Sequence, residues 1–247
     1  MAIWGVPVSP WNCPFLENEM AMNILGQSIS RVKVIDDDPT ARQAMAFTIT
    51  DANLEALLAE GPLPKLSKFV ASTKKQVDAV VSDHRLKKGH YATFNGAEAV
   101  AELYNAHCPA VLCTRWSTAD IDAIRQYIPF IPSLISIDEI NPDTIATGFT
   151  RCISEFKNVP VPSRRPWRTL VRVESVATSS KPALFYVAIP GWDSKEIIRL
   201  PLDLVPYGRR RLIEPGFRFF ASVNKGAEQP DALFFTKFEF PSNRKSK

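Results

Sequence analysis

Three consecutive carboxylates, Asp36-Asp37-Asp38, follow a β-branched run, Val32-Lys33-Val34-Ile35, and precede Pro39. A second run, Val77-Asp78-Ala79-Val80-Val81-Ser82-Asp83, repeats the arrangement of apolar strand and terminal acid. Carboxylates crowded to about 5 Å repel by roughly 3 kcal/mol per pair at an effective dielectric near 20. Such a cluster persists where water, a cation or protonation relieves it. Ligands of parallel α/β sheets bind beyond the carboxyl ends of the strands. Two such strands side by side bring Asp36, Asp37 and Asp83 together as oxygen ligands for a hard cation such as Mg²⁺. One Asp is accounted for as a helix cap, favoured by about 0.3–1 kcal/mol; three plus Asp83 are not.

A second constellation is basic. Arg164, Arg165 and Arg168 surround Trp167, and Arg209-Arg210-Arg211 stand between Tyr207 and the Phe217–Phe220 run. Arginines interleaved with aromatics on a small β-domain bind single-stranded nucleic acid through phosphate contacts and stacking. The competing readings are a protein partner, docking on an acidic part of the same chain, or a solvated face with Phe217, Phe219, Phe234, Phe238 and Phe240 as core. His84 and His90 fall on a loop after Asp83, where solvated imidazoles are expected. His107-Cys108 are adjacent and poorly placed for a catalytic dyad. There is no Gly-rich phosphate loop, HExxH or G-x-S-x-G.

The elements that position these residues alternate. Strands are expected at Arg31–Ile35, Val77–Ser82, Pro109–Cys113 and Phe130–Ile137. Helices are expected at Thr40–Thr50, Leu66–Gln76, Gly96–Tyr104, from Ser117 with Ile121, Ile124 and Ile128 inward, and at Asp143–Phe156. This alternation predicts an α/β doubly wound parallel sheet over residues 31–156. Residues 1–30 read as an N-terminal arm with a helical turn at Glu17–Leu25. The proline-punctuated segment 157–166 reads as a stiff linker. Residues 167–247 switch to period two, with strands at Thr169–Val176, Ala183–Ile189, Glu196–Leu200, Phe217–Val223 and Leu233–Phe240, a small all-β barrel or curled sheet.

Charge divides along the same boundary. The 247-residue chain carries a net +4 with 45% apolar and 23% charged residues. Residues 1–156 hold 13 Lys/Arg against 18 Asp/Glu, and the remainder hold 17 against 8. Units of net −5 and +9 imply different partners. No apolar run reaches the roughly 20 residues of a membrane span. Met1–Pro14 lacks a basic n-region, so no secretory signal is expected. Cys13, Cys108, Cys113 and Cys152 form no Cys-x-x-Cys pair, and Cys113 and Cys152 fit buried apolar positions. These features predict a cytoplasmic chain with no membrane association.

Residues 31–156 resemble the receiver domain of bacterial two-component response regulators. The resemblance rests on four features in order: the acidic pair after strand one, Asp83, the Asn95-Gly96-Ala97-Glu98-Ala99-Val100 helix start, and Pro109-Ala110-Val111-Leu112-Cys113-Thr114. It implies a flavodoxin-like fold with a five-stranded parallel sheet, the fifth strand on this resemblance alone, and a signalling function. Asp83 becomes the phosphoryl acceptor, Asp36, Asp37, Asp83 and the Arg85 carbonyl hold Mg²⁺, and Thr114 contacts the phosphoryl oxygens. A histidine kinase or phosphotransfer protein would be the donor, and the β-rich unit the output, with a protein partner of its own. Catalysis would be limited to self-phosphorylation from a donor and autodephosphorylation. The family's strand-five lysine is missing from Leu134-Ile135-Ser136-Ile137-Asp138-Glu139-Ile140-Asn141-Pro142; Asp138 in that place would exchange a cation for an anion, and Lys87 or Lys88 is the candidate to supply the charge. Two other readings are a phosphorylation-independent adaptor and a nucleic-acid-binding β-barrel that the first unit regulates. The C-terminal unit resembles no family.

Overall fold

A computed structural model of the chain describes residues 21–115, 118–180 and 182–241, with 118–120 described by their backbone. Cys13 and most of the expected arm lie outside these residues. The first described elements, β1 (Met22–Ile24) and β2 (Gln27–Ile29), pair as an antiparallel hairpin. The helical turn expected to reach Leu25 is therefore replaced. Leu25 and Gly26 both take positive φ and close the reversal.

From Arg31 onward strands and helices alternate: β3 (Arg31–Ile35), α1 (Pro39–Asp51), β4 (Glu55–Leu58), α2 (Leu66–Gln76) and β5 (Ala79–Asp83). Then come α3 (Gly96–Asn105), β6 (Ala110–Thr114), α4 (Thr118–Ile124), β7 (Leu134–Ser136) and α5 (Pro142–Phe156). All five strands are parallel, in the order β4-β3-β5-β6-β7. That is the flavodoxin-like doubly wound order, which opens a ligand crevice at the carboxyl ends of β3 and β5. Alternate strand residues feed two cores. Val80 and Leu112 pack towards Phe69, Val100 and Leu103, whereas Val34, Val81 and Val111 pack towards Met45, Ile49 and Phe149.

Two expectations change here. Strand β4 was not foreseen, because Glu55-Ala56-Leu57-Leu58 has helix-forming composition; as an edge strand it pairs with β3 alone. The strand expected over Phe130–Ile137 shrinks to three residues, with Ile128–Phe130 forming a 3₁₀ turn before it.

The second unit is an antiparallel sheet of β8 (Trp167–Ala177), β9 (Leu184–Ile189), β10 (Asp193–Pro201), β11 (Arg218–Val223) and β12 (Phe235–Glu239). Its order is β10-β9-β8-β11-β12. Among the described residues β10 and β12 do not pair, so the sheet stays open and does not close into a barrel. One face carries the core of Val171, Val173, Phe185, Val187, Phe219 and Ala221, the one-sided alternation expected of an antiparallel sheet. Phe217, Phe219, Phe238 and Phe240 stack in this core. Phe234 instead packs into the core of the first unit.

The segment 157–166 is a packed joint. Pro162–Arg164 forms a 3₁₀ turn, and the Asn224 amide donates to the Ser163 carbonyl at 3.0 Å. No described helix is long and apolar enough to cross a membrane. Cys108, Cys113 and Cys152 are buried free thiols, and burial raises the Cys152 thiol to about 12.

Candidate functional site

The acids that the sequence singles out do converge. Asp36, Asp37, Asp38, Asp83, Arg85, Asn95 and Thr114 line one cleft of about 440 Å³ at the carboxyl ends of β3, β5 and β6. Each acid is held differently. Asp36 is buried, and its Oδ1 accepts the Asp38 N–H at 2.8 Å. Asp37 Oδ2 accepts the Lys88 N–H at 2.9 Å, drawing the loop after β5 over the cleft. Asp38 is the N-cap of α1, accepting from Thr40 N at 2.8 Å and Ala41 N at 3.3 Å. Those two bonds hold its pKa below the ordinary value. The capping role foreseen for one Asp therefore belongs to Asp38.

Asp83 ends β5, and its Oδ2 accepts the Arg85 N–H at 2.6 Å. Burial, and then the charge of Asp36, push its pKa up to about 6. Asp36 is also raised, by burial first, despite its bond to Asp38. Behind them the buried Arg42 donates to the Asp36 carbonyl at 2.7 Å and to Glu60 at 2.9 Å. Its guanidinium lies 5.6 Å from the Tyr91 ring centroid. Arg42 thus ties down the backbone of the acidic loop.

Helix α3 starts against the same strand end. Gly96 N donates to the His84 carbonyl at 2.8 Å, and a Cβ at Gly96 would lie 1.8 Å from the Asp83 carbonyl oxygen. Only glycine permits this approach. Thr114 is buried at the end of β6, beside Ser136 of β7.

Several expectations need correction. Asp138 is not among the residues lining the cleft; Ile137 occupies the corner after β7. A three-residue strand ending at Ser136 turns at once into the 3₁₀ segment Ile137–Glu139, which leaves Ile137 and not Asp138 at the cleft. His84 is buried rather than solvated, because the chain continues in sheet-like pairing to Cys113. His90 and His107 are exposed. The positive rim consists of Arg85, Lys87, Lys88 and Arg115. Lys87 Nζ lies 3.9 Å from Glu98.

No group of three His, Cys, Asp or Glu side chains among the described residues is gathered tightly enough to hold a metal unaided. The donor chemistry nevertheless suits Mg²⁺, which commonly takes one or two carboxylates and keeps several waters. Burial first, and neighbouring carboxylates after it, disfavour the ionised forms of Asp36 and Asp83, charge that a cation here would relieve.

The basic residues separate. Arg164 is structural: it pairs with Glu155, donates to the carbonyls of Ile128 and Pro129 at 3.1 and 3.0 Å, and stacks on Phe234. Arg210 pairs with Asp203 at 2.8 Å. Arg209 and Arg211 are exposed, as are Arg165, Trp167 and Arg168.

Sequence reasoning missed the joint between the units. Arg125, following α4, is buried and donates to the Pro230 and Leu233 carbonyls, both at 2.9 Å, and to Asp231 at 3.3 Å. Asp122 of α4 pairs with Arg199 of β10 at 2.9 Å. The signal was present: Arg125 interrupts the inward stripe of Ile121, Ile124 and Ile128, a position where a charge must find partners.

No family model and no curated protein matches the sequence. Among solved structures the chain is similar to a response regulator receiver domain protein from Clostridium thermocellum, with 15% identity over 53% of this chain and 99% of that one and a TM-score of 0.39. It is similar to a chemotaxis response regulator of Vibrio cholerae, with 19% identity over 50% and 98% and a TM-score of 0.34. A CheY-like receiver domain protein from Methanospirillum hungatei gives 13% identity over 53% and 98%, with a TM-score of 0.37. The receiver-like, flavodoxin-like architecture of the first unit is given by its own strand order.

Proposed function

We propose that this chain is a response-regulator-like signalling protein in which Asp83 accepts a phosphoryl group and α4 passes the change to the β-rich unit. The observation that carries this reading is the gathering of Asp36, Asp37, Asp83 and Thr114 in one cleft at the carboxyl rim of a parallel sheet. With a pKa near 6, Asp83 is mostly ionised at pH 7 and needs no base. A carboxylate oxygen attacks phosphorus while the bond from phosphorus to the donor breaks, and the electron pair leaves with the donor. From an acyl phosphate the leaving group is a carboxylate; from a histidine kinase or phosphotransfer protein it is an imidazole that takes up a proton. The Thr114 hydroxyl and the cationic rim face the oxygens that arrive. Asp36, Asp37, Asp83 and the Arg85 carbonyl would hold Mg²⁺, which when bound neutralises the charge shared by carboxylate and phosphate.

Helix α4 starts four residues after Thr114 and carries Asp122, with Arg125 immediately beyond it, so a shift at the cleft reaches the β-rich unit through contacts already in place. The test is incubation with acetyl phosphate and Mg²⁺, read by intact mass, with Asp83→Asn as control. Gain of one phosphoryl group in the wild type alone supports the reading. No gain favours a phosphorylation-independent adaptor, a reading that Ile137 at the corner after β7 supports because that strand offers no ammonium there.

A further inference from the structure

The β-rich unit keeps more positive charge than its docking consumes. Of its cations, Arg164 and Arg199 are spent on Glu155 and Asp122 of the first unit. The excess that remains borders exposed aromatic rings. Trp167 is 47% exposed, with the Arg165 guanidinium 4.9 Å and the Lys225 ammonium 5.9 Å from its ring centroid. In the next position Arg168 lies over the half-buried Phe220 at 3.6 Å. Phe220 is paired across the sheet with the exposed Leu170, and the following pair on that side is Arg172 with Arg218. The outer side of β8 and β11 thus presents Leu170 and Phe220 bounded by arginines, whereas Trp167, one position before Arg168 and paired with Val223, stands exposed at the start of β8 on the other side of the sheet, between two cations.

We propose that the exposed Trp167 at the start of β8, with Arg165 and Lys225 at its ring, binds single-stranded nucleic acid. Charge selects a polyanion: residues 157–247 carry +9, and two exposed cations, Arg165 and Lys225, stand at the Trp167 ring. Rings select bases, since an aromatic face stacks any unpaired base whereas a paired duplex offers none. Each cation beside a ring is then placed to meet the phosphate of the stacked nucleotide. Arg168, next in sequence, covers the Phe220 ring and pairs with Glu239, both side chains more than half exposed, so its exchange for phosphate costs little. This site is independent of the phosphoryl reading of Asp83. It also narrows the basic set marked in the sequence, because Arg164 and Arg210 already have protein partners.

The test uses the full chain and fluorescein-labelled dT15 and U15, titrated between about 50 and 200 mM salt. Binding of either oligomer is expected, and the better ligand separates DNA from RNA. Trp167→Ala should weaken it about tenfold or more through the lost stack. Arg165→Gln with Lys225→Gln should lower the slope of log affinity against log salt by about 1.4, the value for two single-strand phosphates. Trp167→Phe should retain most of the binding, which separates stacking from damage to the fold. The proposal is overturned by absent binding at 50 mM salt, by affinities that these substitutions leave unchanged, or by equal affinity for a duplex. Preferential binding to anionic vesicles, or self-association lost in the same variants without oligomer binding, overturns it as well.

Discussion

The two sheets of this molecule handle charge in opposite ways. In the parallel sheet, charged groups are driven to one rim, where Asp36 and Asp83 are withdrawn from water and repel one another. In the antiparallel sheet, Arg168 and Arg172 stand on an outward face, each paired loosely with a carboxylate, Arg168 over an aromatic ring. The first arrangement stores unfavourable electrostatics that binding can release. The second offers charge that water already solvates, so its contribution to stability is small. Between them the joint combines both kinds: Arg125 is buried among carbonyls, yet it faces the half-exposed Asp231.

The strongest way to break the contrast is to make the rim unable to form. Gly96→Ala places a methyl 1.8 Å from the Asp83 carbonyl oxygen, a backbone atom that cannot swing aside. Destabilisation of about 3 kcal/mol or more is expected, measured by urea unfolding, whereas Gly208→Ala in the β-rich unit meets nothing within 4 Å and should be near neutral. Next is Arg125→Met. It strands two buried carbonyls and should cost about 2–4 kcal/mol. Calorimetry should then resolve two transitions where the wild type gives one, because the joint fails before either core.

How much of this contrast was readable from sequence follows from the same physics. Buried strands such as Ala79–Asp83 and Ala110–Thr114 announce themselves, since a continuous apolar run ending in a polar group has few other uses. Edge strand Glu55–Leu58 did not, for its letters favour a helix and only its neighbour β3 makes it a strand. Asn53, with φ of +56°, was the local sign that α1 had ended. The rim acids were legible because strand ends are. The residue at the corner after β7 was not, because it depends on where a three-residue strand stops. Arg164 looked like linker surface and is internal: Glu155 lies nine residues before it in sequence but a helix end away in space.

Asp83 sharpens the comparison through pH. Its folded pKa, near 6, lies above the ordinary 3.8, so the unfolded chain gives up this proton first as pH rises. Stability from this group is therefore full below about pH 4 and declines until pH passes 6. Asp83→Asn should accordingly stabilise the protein by about 1–3 kcal/mol at pH 7.5 and change little at pH 4. Millimolar Mg²⁺ should raise the wild-type melting temperature at pH 7.5 and lose that effect near pH 5, where the Asp83 carboxylate is increasingly protonated. A magnesium effect that persists unchanged in Asp83→Asn would place the ion elsewhere.

The smallest effect belongs to the open face. Arg168 and Glu239 meet at 2.9 Å with both side chains more than half exposed, and exposed pairs contribute about 0–1 kcal/mol, less in salt. Arg168→Gln should leave the urea midpoint within the error of the wild type and unchanged in slope. The guanidinium also covers the half-buried ring of Phe220, so the loss that does appear is packing, and it should persist in 1 M salt where the ion pair has gone. A fall in stability as large as that of Arg125→Met would mean that the face is a structural surface like the joint, and the contrast between the two sheets would then fail at its exposed end.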